Sequence, residues 1–163
     1  MDVWSAITDR KSTTTFSSEA PSKDLIEAVL EAFTWAPTHH LNQSWRFDVF
    51  TGVGLERLAD LDIEVSLSEL PEQIDKAAKD KIIDARKTTV LSAPVAIIIS
   101  VPEYSDGKSR YLEELSAGAA GIQNLLLAAH EKGLATKWRT GKLSRSMKAK
   151  LFLGLKENEE IIG

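Results

Sequence analysis

The sequence predicts an α+β or three-layer α/β/α domain, and three observations lead there. Apolar residues recur at helical spacing in several segments, and fewer, shorter stretches read as strands. A length of 163 residues suits one domain with a buried core.

Asp2 can cap a first helix that carries Val3, Trp4 and Ile7 on one face. Ser22 caps a second, where Leu25, Ile26, Val29, Leu30 and Phe33 recur at helical spacing until Pro37. A polar loop over residues 38–44 follows, then a strand over residues 45–50. Gly52 and Gly54 turn the chain into a third helix that begins near Leu55. Residues 71–89 read as a charged helix with a thin stripe of Ile74, Ala77, Ala78, Ile82 and Ala85, closed by Pro94.

The apolar run over residues 95–101 predicts a strand buried on both faces. A long helix is expected from near Ser109 to Lys132, with Gly133 as its stop. Its centre, residues 116–121, is lined with small residues, and each of its two glycines costs about 1 kcal/mol relative to alanine. Close packing against a helix, a sheet or a second subunit is expected to compensate. A short strand over residues 134–139 comes next; Ser144 then caps a helix reaching Phe152, and Ile161-Ile162 begin a last extended segment. The expected organisation is one domain over residues 1–163, with a C-terminal strand and tail missing.

Composition narrows the function. A net charge of −4 gives no basic face of the kind general nucleic-acid binding needs. With no cysteine, disulfides, thiolate metal sites and a cysteine nucleophile are excluded. The longest apolar run is too short to span a bilayer, and an N-terminus carrying Asp2 and Asp9 lacks a secretion-signal pattern. The expectation is a cytoplasmic protein without nucleic-acid or membrane partners.

Three segments carry chemistry. Arg10-Lys11-Ser12 joins a planar fork of donors, a mobile point charge and a hydroxyl, a set suited to a phosphate. The loop over residues 36–47 holds His39, Asn42 and Gln43, whose donors and acceptors suit the polar edge of a ring, while Trp45 and Phe47 anchor it in the core. Lys137-Trp138-Arg139-Thr140-Gly141 sets a large ring between two cations, followed by a hydroxyl.

Taken singly, each has a plainer reading: a solvated cluster, a polar connector, a core tryptophan with surface charges. His39 and His40 are adjacent and point apart in regular structure, and no carboxylate spacing completes a metal site. Gly52-Val53-Gly54 lacks the third glycine of a dinucleotide fingerprint, since Arg57 stands there. Glu113-Glu114 reads as a solvated face. No hydrolytic machinery is visible, which directs attention to a redox cofactor.

In order and spacing these segments resemble the nitroreductase family of flavin mononucleotide (FMN) enzymes, particularly its short, minimal members. Ser92-Ala93-Pro94 before the buried strand and the small-residue helix add to the likeness, which spans essentially the whole chain. The resemblance implies a three-layer α/β/α sandwich with a central, mainly antiparallel sheet, forming an intertwined homodimer with one FMN at each of two interface sites. Arg10, Lys11 and Ser12 are expected to hold the phosphate and ribityl chain. His39 and Gln43 are expected to reach the flavin from the opposite subunit, and Trp138, Arg139 and Thr140 to line its ring. The small face of the long helix is expected at the dimer interface.

The implied activity is NAD(P)H-dependent reduction of a small-molecule acceptor, a nitroaromatic or quinone, by ping-pong hydride transfer. NADH or NADPH serves as donor, and no side chain is assigned as catalytic acid or base. Two departures from the family pattern are Ser44, where the family usually has proline, and an end at Gly163, where members usually continue. They motivate the alternative, a flavin-binding or flavin-free interaction protein of the same fold without turnover.

Overall fold

The computed structural model describes residues 1–102 and 111–163. In chain order the elements are α1 (Val3–Asp9), α2 (Lys23–Thr34), β1 (Arg46–Thr51), α3 (Gly52–Ser68), α4 (Lys76–Leu91), β2 (Val95–Pro102), α5 (Tyr111–Glu131), α6 (Met147–Leu153) and β3 (Glu159–Ile161). The sheet runs β1-β2-β3 and both pairings are antiparallel. In register, Arg46 faces Ser100, Thr51 faces Val95, and Ser100 faces Ile161.

Strand alternation sends successive side chains to opposite faces, and the core divides accordingly. Ile99, Val101 and Ile162 join Val29 and Phe33 of α2 and Ile122, Leu125, Leu126 and Ala129 of α5 in one cluster. Ile98 and Ile161 join Leu55, Leu58, Leu61 and Val65 of α3 and Ala149 and Leu153 of α6 in the other. Helices therefore cover both faces of the sheet, giving the predicted α+β arrangement in three layers. Phe33, fully buried, is struck edge-on by Trp45 and Phe47 at centroid distances of 5.0 and 4.9 Å, so the loop before β1 is anchored in the core.

The two glycines at the small centre of α5 pack on a helix and on the sheet side, two of the expected kinds of partner. A Cβ added at Gly118 would lie 2.5 Å from Ile162 Cδ1, and one at Gly121 would lie 2.6 Å from the Phe33 ring. These glycines thus fit α5 onto β2, the residue after β3, and α2 of the same chain.

Helix boundaries follow local chemistry. Asp2 accepts from the Ser5 amide at 3.0 Å and its hydroxyl at 2.7 Å, which holds the Asp2 carboxyl below its ordinary range. Ser22 caps α2. Gly133, at φ 76°, closes α5 as expected, with the Leu134 amide returning to the Ala129 carbonyl at 2.8 Å. The expected start of this helix near Ser109 lies outside the described residues.

Several expectations are corrected. The third helix begins at Gly52, whose φ of 48° turns the chain directly out of β1, so no loop precedes Leu55. Residues 71–75 form a turn, and α4 starts only where Asp75 caps it through the Ala78 amide. Ser146, three residues before Ala149, caps α6; Ser144 instead donates to the Gly141 carbonyl within a short 3-10 turn. The strand expected over residues 134–139 reduces to a single parallel bridge between Ser12 and Thr136. β2 is buried from Ile98 to Val101 but only half-buried over residues 95–97; past the Ser100–Ile161 pair, Ile99 accepts from the Ile162 amide at 2.8 Å and donates to the Gly163 carbonyl at 2.9 Å.

Val3, Trp4 and Ile7 do share a face of α1, but it is an exposed one: their exposures are 75, 74 and 49%, and Ala6 is the residue turned inward. Among the described residues no helix is long and apolar enough to cross a membrane.

Candidate functional site

Arg10-Lys11-Ser12 sits where α1 ends, because the Arg10 amide still reaches the Ala6 carbonyl and the chain then turns extended. Extended backbone lets Ser12 bridge Thr136, and the Thr13 amide donates to the Thr136 carbonyl at 3.2 Å. The bridge brings Ser12 to Thr136, which directly precedes Lys137-Trp138-Arg139-Thr140; because the pairing is parallel, Arg10 and Lys11 run back toward Leu134 and Ala135. Among the described residues Arg10, Lys11, Lys137 and Arg139 enter no salt bridge. Each pair of cations, with the exposed hydroxyl of Ser12 or Thr140 next to it in sequence, can take an anion.

Trp138 is 41% exposed and its single polar atom is already used: Nε1 donates to the Ile162 carbonyl at 3.0 Å. It also packs over Gly163, where an added Cβ would meet the indole at 2.5 Å and Ile122 at 3.3 Å. Trp138 can therefore offer a planar ligand its surface but no hydrogen bond. Trp138 and Arg139 line a cleft of about 670 Å³ together with residues 95–99 of β2.

The second group of expected residues lies in the loop between α2 and β1. His39–Leu41 form one 3-10 turn, and His40, Leu41 and Gln43 all have positive φ, at 53, 55 and 45°. Such backbone costs a non-glycine residue about 1 kcal/mol or more, so something must hold it. The turn also overturns the expectation that the two histidines point apart: their rings meet edge-on at 4.4 Å. Gln43 Nε2 donates to the Thr34 carbonyl at 3.2 Å, satisfying an orphan acceptor at the end of α2.

Glu114 is the residue that sequence reasoning missed. Expected on a solvated face, it is 2% exposed, and its two carboxylate oxygens accept from Asn42 Nδ2 and Ser44 Oγ, each at 2.9 Å. The signal was present: Glu114, Ala117, Gly118, Gly121, Ile122 and Leu125 follow the helical stripe that faces the core. Asn42, read as a ring-edge partner, thus has its amide nitrogen engaged by Glu114. Neighbouring Glu113 lies off that stripe, half-exposed, with Oε2 at 3.8 Å from His39 Nε2.

The expected residues therefore fall into two groups. The segment of Arg10, Lys11 and Ser12 is linked through Thr136 to the segment of Trp138, Arg139 and Thr140. His39 and Gln43 sit at the start of α5, beside Glu113 and Glu114, whereas Trp138 lies near Ile122. Eight residues of helix separate those levels by about 12 Å. No hydrogen bond among the described residues joins the two groups.

Comparison with known proteins points to one family. A family model described as the nitroreductase family matches residues 7–163. The protein named "Putative NAD(P)H nitroreductase YdjA" from Escherichia coli strain K12 is 30% identical over 166 residues, covering 100% of this chain and 85% of that protein. A nitroreductase-like family protein from Bacillus cereus is similar in structure, with a TM-score of 0.82 at 29% identity over 100% of this chain and 82% of that one. A nitroreductase with bound FMN from Bacteroides fragilis NCTC 9343 has a TM-score of 0.75 at 22% identity, over 100% and 85% of the two chains, a likeness of fold.

Proposed function

The chain belongs to the nitroreductase family, and from that premise we propose an FMN-dependent oxidoreductase. NADH or NADPH is the electron donor, and nitroaromatic or quinone-like molecules are the acceptors, served in alternating half-reactions. When bound, FMN supplies the hydride chemistry, which is why the chain needs no nucleophile of its own. The Bacteroides fragilis structure carries FMN and the Escherichia coli relative is named for NAD(P)H, and both support this choice.

The observation that carries the reading is the Ser12–Thr136 bridge, which joins uncommitted cations to a ring-bearing segment. The donor set fits an aromatic phosphate ester. Arg10 and Lys11 neutralise the phosphate, with the Ser12 hydroxyl donating to it or to the ribityl chain. Trp138 presents its face to the ring, while Arg139 and Thr140 reach the ring's heteroatoms.

The partner's His39 and Gln43 complete the site across a homodimer interface. Two features support a two-subunit site: the separation of the two residue groups along α5, and the exposed apolar residues Val3, Trp4 and Ile7 of α1 with Leu112, 72% exposed, on α5. Gln43 keeps one amide hydrogen and its carbonyl for a ring edge after bonding Thr34. These groups bind and orient, and solvent supplies the protons.

The test is to incubate the purified protein with FMN, remove unbound flavin and record the visible spectrum. The expected result is retained flavin absorbance, with Arg10→Ala weakening binding about tenfold or more through loss of a charge-assisted contact. A protein that stays colourless overturns the proposal.

A further inference from the structure

Resting on the FMN reading above, we infer that Glu114 is a positioning residue for the site: its buried carboxylate fixes the turn that presents His39 and Gln43 to the flavin. Trp45 and Phe47 anchor only the end of the loop that enters β1. His39, His40, Leu41 and Gln43 are exposed, Leu41 at 82%, so apolar burial does not set their conformation. The backbone nonetheless stays in the left-handed region at His40, Leu41 and Gln43. Polar contacts must therefore carry the strain.

The decisive contacts bracket Gln43. Asn42 on one side and Ser44 on the other each donate to a different oxygen of Glu114, while the Gln43 side chain bonds back to Thr34. With both flanking residues tied to one rigid carboxylate, the Gln43 peptide has little freedom to leave its φ of 45°. The helix supplies the rigidity. Glu114 lies on the same stripe as Ala117, Gly118 and Gly121, where α5 is packed tightly enough that two of the positions exclude a Cβ.

An apolar side chain would be the simpler choice at a 2% exposed position on that stripe, because a buried carboxylate is costly unless its oxygens are satisfied. Retaining an acid there links the core helix to a loop seventy-odd residues earlier in the chain. At the other end of the turn, Glu113 lies near His39, so consecutive acids on α5 address both ends of the loop.

The test compares wild type with Glu114→Ala, Glu114→Gln and Ser44→Ala, measuring FMN affinity by fluorescence quenching, visible circular dichroism of bound FMN, and thermal unfolding. Glu114→Ala is expected to weaken FMN binding about tenfold or more and to change the flavin dichroism. Glu114→Gln is expected to recover most of both, since the Asn42 amide and the Ser44 hydroxyl can reverse donor and acceptor roles around a glutamine.

Ser44→Ala removes only one bond at a loop position, and keeps the test sound if Glu114→Ala fails to fold; about a threefold to tenfold weakening is expected. Alanine variants with wild-type affinity and wild-type flavin dichroism overturn the inference while leaving the FMN reading intact, as does a glutamine variant no better than alanine. A wild-type protein that takes up no FMN overturns both.

Discussion

Trp138 shows how much of a single residue's setting lies outside its local sequence. Its place among cations in Lys137-Trp138-Arg139 marks it as a candidate wall for a ring, but the bond from its indole to the Ile162 carbonyl depends on where the chain's last strand returns, which no local pattern encodes. That bond separates stability from binding. Trp138→Phe keeps an aromatic face and removes one donor, so unfolding in urea is expected to show a loss of about 1 kcal/mol. FMN affinity is expected to change less than about threefold. A large loss of FMN affinity with unchanged stability would contradict a face-only role. Glu114 teaches the opposite lesson. Its helical spacing with Ala117, Gly118 and Gly121 was legible, and charge alone led to the solvated reading. Its Asn42 and Ser44 partners, by contrast, lie outside any local window.

At the scale of elements, helices were legible because each carries a cap or an apolar stripe within a short window. Asp2, Ser22 and Gly133 all act as their chemistry predicts. The segment around Thr136 was not, because one bridge to Ser12 leaves an extended stretch without a ladder. The glycines of α5 offer a graded test. Gly121→Ala pushes a Cβ into the fully buried Phe33 ring, and overpacking outweighs the gain in helix propensity, for a net loss of about 1–2 kcal/mol. Gly118→Ala meets the far end of Ile162, which can shift, so its loss in the same denaturant titration is expected to be smaller.

Helix α4 gives a second test. None of its side chains is buried, and Arg86 latches it to α3 through a two-pronged bond to Asp62, at 2.8 and 2.7 Å. Arg86→Ala strands a carboxylate that is 2% exposed, with an expected cost of about 3 kcal/mol and faster hydrogen exchange along α4. An α4 that stays equally protected would show that the ion pair is incidental.

For the whole molecule, the three layers were readable from an apolar strand, expected to be buried on both faces, between helical stripes, and β2 divides its residues between two helical layers accordingly. Segment order and spacing carried the family likeness, while the meeting of Ser12 with Thr136 required the fold. The proposed homodimer predicts that charging the exposed face of α1, as in Trp4→Glu, shifts the protein toward monomer in sedimentation velocity and weakens FMN binding in parallel. The central claim is redox turnover on a bound flavin, and the visible spectrum of the FMN-loaded protein under anaerobic titration with NADH or NADPH tests it most directly. Loss of the oxidised-flavin absorbance with either nicotinamide, and its return when a quinone is added, is the predicted result. Bound flavin that stays oxidised with both would contradict the account.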